Sequence, residues 1–490
     1  MKKILLSIIS IIYIHIPAFA SNQFLIVGGG FLPKHSEATL EKNVFIFSEL
    51  MNQFQPQNAK ITYLFGGGLE EQNLDVLEQV SDFSLEDTLF SHLFDHCESP
   101  NCKIRHNTLG TLLNGEATKR NILDFLDLAK DALLPSEKFS FYFTGHGSHE
   151  ENTFTQNHLL TWNKEKISVQ EFTQKLDHLA DNTQTQVVMV QCYAGGFAQI
   201  NYEGGDKSKP LSSANRCGFF AQVADRVSAG CTPDLNKREE YSHYFWDAYR
   251  GKTEEGQSLQ TDFNHDGKVT SDEAHAYVTL SENSIDIPIT TSSQLLRDQG
   301  FGLSTEKKRT SWKEFQARLT PIEQAIVEGL QEKTGYDIKV SATPFVFVEE
   351  KITYIQRMKD LSLEKAMLAQ NLVDEIFVQI KNKLSMRYSI FHNSYGENQG
   401  DLLSAQFRSV QNAKQEMLAH PEFHYYQELF LKRREANEEI ARWDQLKTKW
   451  ERIQYLLETK LFEEILSASS LETVKQKYQN LKECEASSFF

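Results

Sequence analysis

Basic residues are in deficit. Lys and Arg number 51 against 67 Asp and Glu, a formal net charge of −16 at pH 7. A chain this acidic has no general attraction for phosphate backbones, which argues against nucleic acid as a partner. Long apolar runs are lacking too: past residue 20, no segment is apolar for long enough to span a bilayer. Cysteine is sparse, six in 490 residues, which excludes a disulfide-dense miniprotein. What is present is a hydrophobic share of 40% with 11% aromatics. That composition excludes a collagen or a disordered acidic tail and is enough to bury a core. The length accommodates two or three domains of roughly 100–200 residues each.

The amino terminus sets the compartment. Lys2 and Lys3 precede a short apolar core, Leu5 to Ile16, and Ala18-Phe19-Ala20 forms a small-residue cleavage signal before Ser21. This pattern predicts a bacterial-type signal peptide over 1–20 and a soluble mature chain that is secreted or periplasmic. Export makes disulfides possible. Cys97 and Cys102 share a polar loop, and Cys217 and Cys231 bracket one short segment. Two local disulfides, Cys97–Cys102 and Cys217–Cys231, would leave Cys192 and Cys484, with Cys192 expected to be reduced for use.

The first half alternates strand-like and helix-like patterns. Phe24 to Val27 and Val187 to Val190 are continuous apolar runs, Ile61 to Phe65 is strand-like, and Phe139 to Phe143 is an aromatic-rich strand pattern. Ile122, Phe125, Leu126, Ala129 and Leu133 have the spacing of one helix face. Continuously apolar strands between helices predict an α/β fold over 21–300 with a mainly parallel sheet covered on both faces. After about residue 305 glycine and proline become sparse, and Trp443, Leu446, Trp450, Ile453 and Leu457 alternate three- and four-residue spacing. A carboxy-terminal all-α domain is expected over 305–490, its seam an internal packing stripe rather than a dimer contact.

In parallel sheets, sites lie at the carboxyl ends of strands. Two such ends carry reactive groups. One apolar run leads into Thr144-Gly145-His146-Gly147-Ser148, the next into Gln191-Cys192-Tyr193-Ala194-Gly195-Gly196. A thiol becomes a nucleophile when a base or a lowered pKa yields its thiolate, and an imidazole can exchange that proton near neutral pH. The flanking glycines let a substrate backbone approach closely. They also leave amides free for a developing oxyanion.

The order strand-His-Gly-Ser, then strand-Cys followed by small residues, resembles the legumain and caspase superfamily of cysteine peptidases (clan CD). The opening Val27-Gly28-Gly29-Gly30 and the stretch from Arg216-Cys217-Gly218-Phe219-Phe220 to Ala229-Gly230-Cys231-Thr232-Pro233 are similar to its bacterial legumain-like branch. The resemblance covers roughly residues 22–285. It implies a caspase-like fold with Cys192 as nucleophile, His146 as general acid/base, and the amides of Gly147 and Cys192 as oxyanion hole. Here small residues follow the cysteine only after Tyr193, a departure that bears on the pocket. Asp225 and Arg226 are the expected substrate-binding charges, with Lys34 and His35 as weaker candidates.

A second motif runs from Asp262 to Glu273 and fits D-x-[DN]-x-[DN]-G-x5-E. Oxygen ligands fall at Asp262, Asn264 and Asp266, Lys268 offers a carbonyl, and Glu273 can close the shell around calcium. One loop alone implies a structural role for the ion. The expectation is therefore an exported, calcium-stabilised cysteine endopeptidase acting on peptide or protein substrates. Its helical region would dock on the peptidase domain, restraining it, or bind a protein partner. Alternatives are a catalytically silent binding protein on the same fold and a peptide ligase or transpeptidase.

Overall fold

Runs such as Phe24 to Val27 have no polar face, so they form strands only where both faces can be covered. In the computed structural model the strands are β1 (Gln23–Gly28), β2 (Lys60–Phe65), β3 (Val76–Gln79), β4 (Cys102–Arg105), β5 (Lys138–Thr144), β6 (His146–Glu150), β7 (Thr153–Thr161), β8 (Glu165–Ser168), β9 (Gln184–Met189), β10 (Arg216–Phe220) and β11 (Ile289–Thr290). The structure describes residues 22–490 except 57, 81–83, 92–101, 134–136, 151–152, 181–182, 238 and 389–406, so the signal segment over 1–20 and Cys97 lie outside it. The central sheet has the order β11-β10-β9-β5-β1-β2. Its strands run parallel except β11, which pairs antiparallel with β10. Strands β6, β7 and β8 form a separate antiparallel sheet, and β3 pairs with β4.

The covering helices of the first part are α1 (Ala38–Phe54), α2 (Leu85–Ser91), α3 (Lys119–Ala132), α4 (Val169–Leu176), α5 (Tyr241–Arg250), α6 (Ser271–Ser281) and α7 (Thr291–Asp298). Alternate residues of β1 enter two different cores. Phe24 and Ile26 pack with Val44 and Phe47 of α1 and with Phe245 and Trp246 of α5. Leu25 and Val27 pack with Ile122 and Leu126 of α3 and Phe172 of α4. The fold is thus α/β, with a mostly parallel sheet flanked by helices, followed by a helical region.

In that region the long helices Pro344–Ser385 and Phe423–Ala468 lie against each other. The seam is internal, as expected: Trp450, Ile453 and Leu457 are fully buried with Ile326, Leu330, Phe345 and Val348. The helices are not set apart from the sheet. The last helix, Glu472–Glu485, packs on β10 and α7, and Phe489 is fully buried among Phe24, Phe47 and Trp246. Arg452 lies within the interface, with its Nε donating to the Asp286 carbonyl at 2.7 Å and Nη1 to the Glu282 carbonyl at 2.8 Å. Among the described residues no helix is long and apolar enough to cross a membrane.

This return of the chain corrects one disulfide. Cys217 pairs with Cys484, 267 residues away, and not with Cys231, which is free. The cause is tertiary. Cys217 sits in β10 inside the cluster that receives Leu481 and Cys484 of the last helix, whereas Cys231 lies in a loop that packs against the separate core of α1 and α5. Cys102 is disulfide-bonded, and Cys192 is free as expected.

Candidate active site

The strand order explains how two distant motifs meet. β5 and β9 are neighbours in parallel register, Phe143 opposite Met189, so the residues that follow them emerge side by side. His146 opens β6 directly after β5, and Cys192 follows β9 by three residues. Their segments touch: a Cβ placed on Gly147 would stand 2.1 Å from the Cys192 carbonyl oxygen and 2.6 Å from Cγ of Gln191. Only glycine permits that approach. His146, Gly147 and Cys192 are thus brought together as expected.

The His146 ring is held from several sides. Its Nε2 lies 3.0 Å from Oε2 of Glu37, the residue immediately before α1. Phe31 meets the ring edge-on at 5.6 Å between centroids, and His35, stacked on Phe31, does so at 6.2 Å. Cys231 Sγ lies within 4.8 Å of a ring nitrogen and of a Glu37 carboxylate oxygen. Burial disfavours a charge on this ring, but Cys231 and then Glu37 outweigh it and hold the imidazole's pKa up to about 11. Burial also raises the pKa of the Cys231 thiol.

Cys192 is partly exposed, and its Sγ accepts the Ser228 N–H at 3.3 Å. Ser228 Oγ in turn donates to the Gln191 carbonyl at 3.0 Å, and the Tyr193 N–H is spent on the Arg226 carbonyl at 2.9 Å. The loop 226–229 thus cradles the thiol. Burial raises the Cys192 pKa and Cys231 adds to this, while the Ser228 amide and His146 lower it. Asp286 fixes the same loop by accepting the Ala229 N–H at 2.8 Å.

The other expected residues are placed differently. Asp225 is exposed. Arg226 is engaged by the helical region, with Nη1 and Nη2 donating to both Glu451 carboxylate oxygens at 2.8 and 3.1 Å. Lys34 is exposed. In the 262–273 loop, Asp262 accepts the amides of Asp266 and Gly267 at 3.1 and 2.9 Å, Asn264 accepts Asp266 at 2.9 Å, and Asp266 accepts Lys268 at 3.0 Å. Glu273 is fully buried and accepts the amides of Phe263, Asn264 and Thr270 at 2.9, 3.2 and 3.0 Å. Its carboxylate closes the loop through backbone amides. Asp262, Asn264, Asp266, the Lys268 carbonyl and Glu273 supply the all-oxygen donor set that calcium takes, so the residue types fit the ion.

Sequence reasoning missed Glu37, Ser228 and Asp286, and it assigned Cys231 elsewhere. Glu37, Ser228 and Asp286 are common residue types in loops or at element ends, and no spacing marks them. Cys231 carried no signal of its own, because its spacing from Cys217 also reads as a local disulfide.

No protein-family model matches the chain, and no curated protein matches it. Among solved structures, protein GSU0716 from Geobacter sulfurreducens is similar over 53% of this chain and 88% of its own, at 10% identity and a TM-score of 0.30. A likeness of that size carries no argument, so the chemistry rests on the site alone.

Proposed function

We propose that the protein is an exported cysteine endopeptidase of caspase-like fold in which Cys192 attacks the scissile carbonyl and His146 protonates the leaving amine. The observation that carries this reading is the apposition of Gly147 on the Cys192 carbonyl, which sets the segments of a reduced thiol and an imidazole side by side at the ends of adjacent parallel strands. Cys192 gives its S–H proton to the neutral His146 ring as Sγ forms the S–C bond, and the C–N bond then breaks. The imidazolium proton goes to the departing nitrogen, and water then hydrolyses the thioester. Acceptance of an amine in place of water would give ligation through the same intermediate. Calcium in the 262–273 loop would be structural, bracing the entry to α6.

The test is turnover of a panel of fluorogenic peptides varied at the residue before the cleaved bond. Wild type should cleave a subset, and Cys192→Ala and His146→Ala should both be inactive while folded. Full activity in either folded variant overturns the mechanism.

A further inference from the structure

We propose that Glu37, His146 and Cys231 form a binding site for a thiophilic divalent cation of the zinc type. The binding does not depend on the peptidase reading; only its consequence for turnover does. One carboxylate oxygen, one imidazole nitrogen and one sulfur lie within 4.8 Å of one another, and the Glu37 and His146 donors are 3.0 Å apart. Tetrahedral zinc, with bonds of about 2.0–2.3 Å, needs donors roughly 3.3–3.8 Å apart, so closing on the ion asks for about 1 Å of side-chain movement. The donor set selects the metal. A thiolate and an imidazole are poor partners for calcium or magnesium, which take oxygen, and suit zinc, cobalt or copper(I).

The backbones that carry these donors are joined. Thr39, in the first turn of α1 beside Glu37, donates its hydroxyl to the Thr232 carbonyl at 2.9 Å and accepts the Thr232 N–H at 3.2 Å. Pro233 accepts the Gln79 N–H at 2.9 Å. The Cys231 loop is therefore pinned to the helix start that presents Glu37. His146 is fixed by its place at the head of β6. Solvent reaches the group: the side chains of His146 and Glu37 are 18% and 10% exposed, and Cys231 is partly so. On binding, the Cys231 S–H proton and any proton on the ligating His146 nitrogen leave to solvent and the metal takes the freed lone pairs. A ring ligated through one nitrogen keeps only the firmly held N–H of the other and can no longer take up and release a proton near neutral pH, so the ion would silence the peptidase until it is removed.

The experiment is a cobalt(II) titration of the full-length, metal-free chain, followed by absorption. Wild type and Cys192→Ser should both develop the intense near-ultraviolet band of a thiolate bound to cobalt, and zinc should displace it. Cys231→Ser should lack it. The all-oxygen 262–273 loop cannot produce this band, and a disulfide sulfur cannot either. Should Cys231→Ser fail to fold, Glu37→Gln serves: it keeps the thiol and should weaken cobalt binding by roughly tenfold or more. Absence of the band in wild type, its survival in folded Cys231→Ser, or unaltered affinity in Glu37→Gln overturns the site. Turnover is read separately. Zinc binding without loss of peptidase activity would leave the site standing and remove its inhibitory consequence.

Discussion

At the scale of single residues, the site depends on contacts that admit almost no change. Gly147→Ala puts a methyl 2.1 Å from the Cys192 carbonyl, and the neighbour is backbone, so β6 or the Cys192 loop must move. Overpacking of this kind costs about 1–3 kcal/mol, and a displacement near 1 Å in a catalytic group costs about a hundredfold in rate. We expect Gly147→Ala to lose roughly a hundredfold in kcat/KM with a modest drop in Tm, read by peptide turnover and thermal melts; wild-type turnover would show that the apposition is not functional. A second residue reports on pH. Burial pulls the Lys138 amine down to about 7 from 10.5, where it donates to the Ser488 carbonyl near the chain end. Between those values the unfolded chain binds the proton that the folded one refuses. This residue's contribution to stability is therefore complete above pH 10.5 and is lost as pH falls through 7. Lys138→Met should flatten that rise in denaturation midpoints between pH 7 and 10; an identical slope in both proteins contradicts it.

At the scale of elements, legibility followed burial. β1, β5 and β9 read clearly because strands covered on both faces are rich in apolar and aromatic residues, and α3 because one stripe of Ile122, Leu126 and Ala129 faces the core. The hairpin β6 to β8 was not read, since Ser148, His149 and Glu150 alternate with no apolar face. The Cys217–Cys484 bond was out of reach because only the packing of the last helix on β10 brings those residues together. The 262–273 loop was legible as a motif, and its geometry sharpens the test for calcium. Glu273 already caps α6 by accepting the Thr270 N–H and hydroxyl at 3.0 and 2.9 Å. Glu273→Ala should therefore lower Tm even in chelator, by a cap's worth of about 0.5–2 kcal/mol. In wild type, calcium at a hundred times its Kd should add about 2.7 kcal/mol, and the variant should lose this increment. Equal melting temperatures for wild type in calcium and in chelator would leave the loop as a turn held by its own carboxylates.

At the scale of the whole molecule, the chain closes on itself. The Cys217–Cys484 bond spans 267 residues, and a link of that length removes up to about 5 kcal/mol of unfolded-chain freedom. Phe489 fills the core between α1, α5 and the sheet, where Phe490 also packs against Phe54 with ring centroids 4.5 Å apart. A fragment ending near residue 305 would lack both, leaving an orphan thiol and an open core. Restraint of the proposed peptidase by the helices must therefore be sought in the intact chain. The contact to break is Arg226 with Glu451. It reaches the loop that cradles Cys192, because the Arg226 carbonyl holds the Tyr193 N–H. Glu451 occupies a guanidinium that stands among the expected substrate-binding charges, as an acidic group of a bound peptide would. Glu451→Gln removes the charge and keeps the shape. If the helix competes with substrate there, kcat/KM should rise by roughly tenfold, the equivalent of about 1.4 kcal/mol, with the gain concentrated in peptides carrying an acidic side chain near the cleaved bond. Arg226→Gln should abolish that preference. Unchanged turnover in a folded Glu451→Gln protein would mean that the ion pair only fastens the helix to the loop.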